Sequence, residues 1–474
     1  MSIVLNDVHS LLNPTLLAEV RRPRSLEELR QCVTYACAKG LRISTSGGRH
    51  AMGGQQFAAG SLHVDTTCLA RVLHADSRKG LLTIEAGADW PAIIAATHGM
   101  DPLGTSWGIR QKQTGVDTVT LGGSISANAH GRGLLMQPLG ADIEELTLVR
   151  PDASVVRCNS TCNSELFSLV VGGYGLFGII YSATLRLAPR LRVRRLVDII
   201  DLDDAMNAVY RRAGEGCLFG DFQFVIDGTD EAFLRRGVMA CYKPCEEDRD
   251  VAAQPAGEGA DLSREDWLRL LKLAHEDKRR AFRLYSQHYL ATDGNFYWSD
   301  THQLSTYIPT YTEVLAEGRE ACGGDVRESL LIGEHYVPPA RLLEFMSRAR
   351  EVLRSFGTEV IYGTIRAIQQ DTVSFLPWAR EDFACVIFNL RTSHDPAGLE
   401  RTAATFRALI EASAELGGSY FLTYHRHASV AQVEACHPRF REFLALKEKY
   451  DPGELFTSEW YRHYRDEFAR IPVR

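Results

Sequence analysis

The chain has 474 residues, 45% of them hydrophobic, and a formal net charge of −7. That length suits a large core shared between two domains, at about 150 residues or more per domain. The acidic balance and the lack of any Lys/Arg block argue against a nucleic-acid partner, and no apolar run approaches the ~18 residues of a membrane span. The opening MSIVLNDVHSLLNP has no basic n-region and no clean apolar stretch, so it does not resemble a secretory signal. Eleven scattered cysteines, an odd number without CxxC zinc spacing, point to reduced thiols in a cytoplasm and to no metal site.

In chain order, RSLEELRQCVTYACAKG (24–40) reads as a helix. Ser25 is its cap, Glu28 completes a capping box, Leu26, Leu29, Val33 and Ala36 recur at helical spacing, and Gly40 is the stop. LRIST (41–45) is a short strand, and GSLHVDTT (60–67) is another. Strand, Gly87 turn and a helix from Trp90 follow in LLTIEAGADWPAIIAATHGM (81–100). ADIEELTLVRPDASVVRC (141–158) reads as two strands around a Pro151–Asp152 turn. Past Pro189, LRVRRLVDIIDLDDAMNAVYRRAG (191–214) is a strand and then a helix. CEEDRDVAAQPAGEGADLSRED (245–266) has loop composition, and WLRLLKLAHEDKRRAFRLY (267–285) is one amphipathic helix whose Leu/Ala stripe suits a core. Strands such as FACVIFNLR (383–391) then alternate with helices such as LERTAATFRALIEASAELGG (399–418). The pattern is α+β throughout.

Between the first two strands lies STSGGRHAMGGQQ (44–56), with four glycines around Arg49 and His50. Glycine lets backbone N–H groups approach a ligand closely, and clustered N–H groups form an anion nest. An ordinary tight turn accounts for this one loop equally well. No helix follows it directly, as a Rossmann or P-loop site requires, so a nicotinamide-type dinucleotide fold is disfavoured. Two more glycine-dense stretches follow, QTGVDTVTLGGSISANAHGRG (113–133) and VGGYGLFGIIYSATLRL (171–187). One extended phosphate-bearing ligand touched at several points explains all three more simply than three turns.

These stretches, in this order, resemble the flavin-binding module of the vanillyl-alcohol-oxidase superfamily. GGRHAMGGQQF is similar to the pyrophosphate loop of cytokinin dehydrogenases and alditol oxidases. VTLGGSISANAHGRG resembles a segment of sugar-lactone oxidases, alditol oxidases and decaprenylphosphoryl-ribose oxidase. ELFSLVVGGYGLFGIIYSATLRLAP resembles the end of the FAD domain, and HPRFREFLALKEKYDPGELFTSEWYRHY the C-terminal segment that returns to cover the flavin. The resemblance implies a two-subdomain PCMH-type FAD-binding domain over residues 1–190, an α+β substrate (cap) domain over 191–430, and a returning segment over 431–474.

FAD is the cofactor that the resemblance implies. Its contacts would be Ser46, Gly47, Gly48, Arg49, His50, Ala51 and Gln55 in the first loop, Thr120, Gly122, Gly123, Ser126 and Gly131 in the second, and Gly178 and Ile180 in the third. His50 stands where many relatives bond histidine to the flavin 8α-methyl; the alternative is a non-covalent loop histidine. Relatives with two covalent bonds carry a cysteine shortly before TVxxGG, where this chain has Asp117, so one bond at most is expected.

For the chemistry, a flavin alcohol oxidation needs a base near the substrate hydroxyl and a positive charge near flavin N1. By position in relatives, His130 faces the active site; packing as a satisfied core histidine is the alternative. Arg366 matches the arginine of the alditol-oxidase Glu–x–Arg pair, but Thr364 replaces the glutamate. Tyr424 aligns with a lysine at the flavin pyrimidine edge, and His425, Arg426 and His427 follow it, as a source of charge or as a solvated strand end. Aromatic side chains in NFYWSDTHQLSTYIPTY (Phe296, Tyr297, Trp298, Tyr307, Tyr311) point to a hydrophobic or ring-shaped substrate, or to core packing. On GEHYVP, strand alternation points two of Glu334, His335 and Tyr336 to one face.

The expected activity is oxidation of a CH–OH group on a small sugar-like or secondary-metabolite substrate, with Tyr424, Arg366, His130 and His425 as the reacting or charge-bearing groups. Oxygen or another acceptor would reoxidise the flavin. C–H oxidation or an epimerisation half-reaction stands as an alternative, and a non-catalytic flavin-binding scaffold as one of a different class. A homodimer is left open.

Overall fold

The computed structural model describes residues 3–101, 106–245, 262–305 and 327–471. The first helix, α1 (Leu26–Lys39), begins where Ser25 Oγ accepts from Glu28 N and stops at Gly40, whose φ of 64° suits glycine. The Glu28 carboxylate reaches the Arg24 N–H rather than that of Ser25, so the box closes one residue early. Leu29, Cys32, Val33 and Ala36 are its buried stripe, packed on a parallel three-stranded sheet of order β1 (Glu19–Arg21), β3 (Leu62–Asp65), β2 (Ile43–Ser46).

An antiparallel five-stranded sheet follows: β4 (Val72–Asp76), β5 (Leu81–Glu85), β6 (Ile143–Val149), β7 (Val155–Cys158) and β8 (Ile179–Arg186), in the order β7-β6-β8-β5-β4. Helices α2 (Trp90–His98), α3 (Leu121–Ala127) and α4 (Ser164–Val170) pack against it. Asp89 caps α2 and Thr120 caps α3, each accepting from the third N–H beyond it.

The chain passes into an eight-stranded antiparallel sheet between Arg186 and Arg192. Its strands are β9 (Arg192–Asp201), β10 (Phe219–Phe224), β11 (Arg236–Pro244), β12 (Phe296–Trp298), β13 (Glu328–Val337), β14 (Val360–Ile368), β15 (Phe383–Ser393) and β16 (Ser419–Tyr420), in the order β12-β9-β11-β10-β14-β15-β13-β16. One face buries Phe222, Phe224, Ile365, Val386, Phe388 and Leu390 against helices α5 (Leu202–Gly214), α8 (Leu342–Ser355) and α9 (Pro396–Glu415). Helices α6 (Arg264–Glu276) and α7 (Lys278–Ala291) replace the single helix expected over 267–285. Asp277 divides them: its side chain accepts from Arg280 N and starts the second helix.

Helices α10 (Val430–Cys436), α11 (Phe440–Tyr450) and α12 (Glu459–Arg470) return to the five-stranded sheet. Phe440, Trp460 and Tyr464 share a core with Tyr174 and Leu176, and Phe456 makes a parallel bridge to Ile43 of β2. Among the described residues no helix is long and apolar enough to cross a membrane, and the ten cysteines are free thiols.

Candidate active site

One continuous cavity of about 580 Å³ runs from the loop after β2 to the face of the eight-stranded sheet opposite α5, α8 and α9. Its first end is built from backbone. A Cβ at Gly47 would fall 1.9 Å from Thr120 Oγ1, and one at Gly48 would fall 2.3 Å from Thr118 O, so only glycine lets this loop close on the α3 segment. Arg49 adopts a left-handed φ of 60°. Residues far along the chain hold the loop: Met52 N and Gly53 N donate to Thr423 O, and Gln55 Nε2 donates to Leu422 O at 2.8 Å. Of the residues expected to touch the cofactor, Ser46 to Ala51, Gln55, Thr120, Gly122, Gly123, Ser126, Gly178 and Ile180 all line the cavity. Gly131 is the exception. It lies behind the wall, where its carbonyl accepts from His130 and Arg366.

His50 lines the same end. Its Nδ1 is 2.8 Å from His9 Nε2 and its Nε2 is 3.0 Å from Thr118 Oγ1. Burial, with His9 and Arg49 nearby, pushes His50 down to about 3, so its ring is neutral at ordinary pH. Asp117 binds Lys112 Nζ at 2.9 Å and accepts from Ser305 N.

The other end is roofed by the sheet, whose period-two alternation sorts its side chains. Phe222, Phe224, Ile365, Val386 and Phe388 point into the core. Between them, Asp221, Gln223, Arg366, Ile387 and Asn389 face the cavity. On β13 the same rule places Glu334 over the cavity, while His335 packs among Phe345, Phe388 and Phe406. Tyr336 shares the Glu334 face and reaches its carboxylate.

Glu334 is the hub of this end. It accepts from Tyr424 Oη at 2.8 Å on Oε1, and from Tyr336 Oη at 2.7 Å on Oε2. His130 Nε2 lies 2.9 Å from Oε2, and His130 Nδ1 faces Gly131 O at 3.0 Å. An imidazole set between two acceptors satisfies both only with a hydrogen on each nitrogen. Burial raises the carboxyl of Glu334, but His130, the Tyr336 hydroxyl and Arg366 outweigh it and hold the group below the usual glutamate range. Burial and the adjacent Glu334 push the Tyr424 phenol well up, so Tyr424 keeps its proton. Arg366 donates to Gly131 O at 3.3 Å and to Thr114 Oγ1. Ligand atoms of His130, Glu334 and Cys385 lie within 4.8 Å of one another, but both Glu334 oxygens are already engaged by the two tyrosines and His130.

Tyr424, Arg366 and His130 therefore meet at one place, and the carboxylate absent at Thr364 comes from another strand. Thr364 itself is buried and donates to Asp221 Oδ2. His425 is a correction. It turns away from the cavity and stacks on Phe406 with ring centroids 4.2 Å apart. Residues 421–425 form a turn, not a strand end, so consecutive side chains part company. Tyr297 and Trp298 also leave the cavity: Tyr297 packs edge-on against Tyr242, and Trp298 lies under Arg190 and Arg192. Tyr307 and Tyr311 lie outside the described residues. Glu334 was half-visible in the strand alternation of its segment; His9 and Thr118 carry no sequence signal.

A family model described as an FAD binding domain matches residues 18–159, the stretch that supplies the first two glycine loops. That match covers the N-terminal part of the chain, and the relatives below extend the likeness. The chain is 32% identical over 173 residues to an uncharacterized oxidoreductase of the fasciation locus in Rhodococcoides fascians, covering 35% of the chain and 36% of the relative. It is 27% identical over 174 residues to the L-gulonolactone oxidase of Bos taurus, covering 36% and 38%. It is 24% identical over 446 residues to an L-gulono-1,4-lactone dehydrogenase of Mycobacterium tuberculosis, covering 93% and 94%. The match thus spans just over a third of the length of the first two relatives and nearly all of the third. The α+β fold carries a stretch that matches an FAD binding domain, and its glycine cradle fits a phosphate-bearing cofactor that approaches bare backbone.

Proposed function

We propose that this flavoprotein oxidises a CH–OH group of a small organic substrate seated between the glycine-lined end of the cavity and Glu334. The observation that carries the reading is the Tyr424–Glu334–His130 network, with Arg366 beside it, in the same cavity as the cofactor loops. FAD, held by the three glycine stretches, supplies the two-electron redox chemistry when bound.

The side chains supply the rest. Tyr424 commits its hydrogen to Glu334, so its oxygen is left to accept the substrate's O–H. The proton released there is relayed through Tyr424: its oxygen takes the substrate's hydrogen as its own hydrogen passes to the Glu334 carboxylate. Tyr424 is the catalytic residue that touches substrate, and Glu334 and His130 act through it. Arg366 adds a fixed positive charge beside the reacting group, which favours the negative charge that develops on oxidation. His50, neutral and on the cofactor loop, is the residue proposed to hold FAD covalently. Oxygen or another acceptor would complete the cycle. Kinship with gulonolactone oxidases and dehydrogenases supports a CH–OH donor.

The test is a substrate screen without oxygen, following bleaching of the flavin band by alcohols, lactones and amines. Bleaching by CH–OH compounds, slowed in Glu334→Gln, supports the proposal. Bleaching by amines alone overturns it.

A further inference from the structure

Beyond the Glu334 cluster the cavity continues under the sheet, and its walls change character. Trp267 of α6 and Tyr285 and Tyr289 of α7 line one side, while Tyr242 of β11 and Tyr362 of β14 line the roof. Tyr285 and Tyr289 stand one helical turn apart with ring centroids 4.4 Å apart, so they present one face. His302 stacks on Tyr242 at 4.3 Å, and the Arg132 guanidinium lies 5.0 Å from the same ring. Burial keeps Tyr285, Tyr289 and Tyr362 above the usual phenol range, so these walls stay neutral.

Position along the sheet sets the reach. Glu334 is on β13, Tyr362 two strands away on β14, and Tyr242 four strands away on β11. At about 4.8 Å per strand, Tyr362 lies roughly 10 Å and Tyr242 roughly 19 Å from Glu334 measured across the strands, with a further offset along them. A single sugar ring held at Tyr424 does not span that distance.

We infer that the substrate is elongated, with its CH–OH end at Tyr424 and a flat aromatic ring in the chamber between α6–α7 and strands β11 and β14. This rests on the function proposed above. Face or edge contact with several rings rewards a flat aromatic group beyond the area it buries.

The test uses the purified FAD-bound protein without oxygen and three probes: 4-(hydroxymethyl)biphenyl, benzyl alcohol and L-gulono-1,4-lactone. Binding is read from the perturbed flavin spectrum and, independently, from protein fluorescence. The biphenyl probe should bind about tenfold or more tighter than either other probe, the increment expected from burying and stacking a second ring. Tyr289→Ala and Trp267→Ala should each erase most of that preference, and Tyr289→Phe should retain it. The wild-type comparison stands even where a variant fails to fold. Tighter binding of the lactone, equal binding of biphenyl and benzyl probes, or binding of none overturns the inference. A protein that takes up no FAD fails the flavoenzyme reading instead, so the two failures are distinct.

Discussion

Replacing Glu334 by glutamine is the sharpest perturbation of the proposed chemistry, because it keeps the shape and removes the charge. Three donors converge on this carboxylate: Tyr424 on Oε1 at 2.8 Å, and Tyr336 and His130 on Oε2 at 2.7 and 2.9 Å. A glutamine has one accepting oxygen. If that oxygen takes the Oε2 place, Tyr424 faces an amide N–H and must turn its own hydrogen into the cavity. If it takes the Oε1 place, Tyr336 and His130 lose their acceptor. Either way at least one hydrogen bond to a charged group goes, worth about 1.5–3 kcal/mol of stability. The proton sink for Tyr424 goes as well, which predicts a 10²–10⁴-fold fall in the limiting rate of flavin reduction. Anaerobic stopped-flow with saturating substrate measures that rate, and its concentration dependence gives the affinity. The rate should collapse while affinity moves little. Tyr336→Phe removes another partner of the same carboxylate but lies outside the cavity, so it should cost about 1 kcal/mol in denaturant unfolding and slow reduction far less. A Glu334→Gln rate within about tenfold of the parent would place the proton acceptor elsewhere and refute the network as drawn.

Four further outcomes follow from other parts of the molecule. After acid precipitation FAD should stay on the chain, and His50→Ala should release it; an intact mass equal to the bare polypeptide refutes the bond. Gly47→Ala drives a Cβ against Thr120 Oγ1, so fluorometric titration should show FAD uptake lost, and stoichiometric uptake contradicts the cradle. His425→Phe keeps a flat ring on Phe406 and should leave the flavin reduction rate near that of the parent, whereas a large loss would return His425 to the site. Burial pushes His335 down to about 3, below its unfolded value of about 6.5, so the stability it contributes is present above pH 6.5 and is lost as pH falls toward 3. Denaturant unfolding at pH 5 against pH 7.5 should show a deficit to which His335 contributes on the order of 2 kcal/mol, so the deficit should shrink by about that much in His335→Gln; an unchanged deficit in the variant assigns it to other groups.

Local chemistry was legible wherever it decided the outcome. Ser25 and Gly40 bound the first helix because a cap and a left-handed stop act within one turn. The three glycine stretches were legible as neighbours, and they line one cavity, because close approach to backbone tolerates no side chain. The break at Asp277 was not, since the apolar stripe continues through it and only the bend of the chain against the sheet selects the second start. Glu334 was ambiguous for a related reason. Alternation gave its face, but its partners His130 and Tyr424 are 204 and 90 residues away, and no local pattern carries that distance. His425 was misplaced because adjacency to Tyr424 says nothing once the backbone turns, and the aromatic chamber draws on two helices and two strands with no shared motif.

The cofactor loop near residue 50 is fastened by the backbone of Leu422 and Thr423 and by Glu459, which accepts from Ala59 N. The bond from Gln55 to Leu422 spans 367 positions. A ribosome adding about 5–20 residues per second takes roughly 20–70 s to cover that stretch, and through it the glycine loop lacks its Leu422, Thr423 and Glu459 partners. The growing polypeptide therefore stays a poor flavin trap until residues 422–459 have emerged. Yellow colour in this protein thus reports that residues 422–459 are in place: fragments cut short before them should stay pale however well their first sheets have folded.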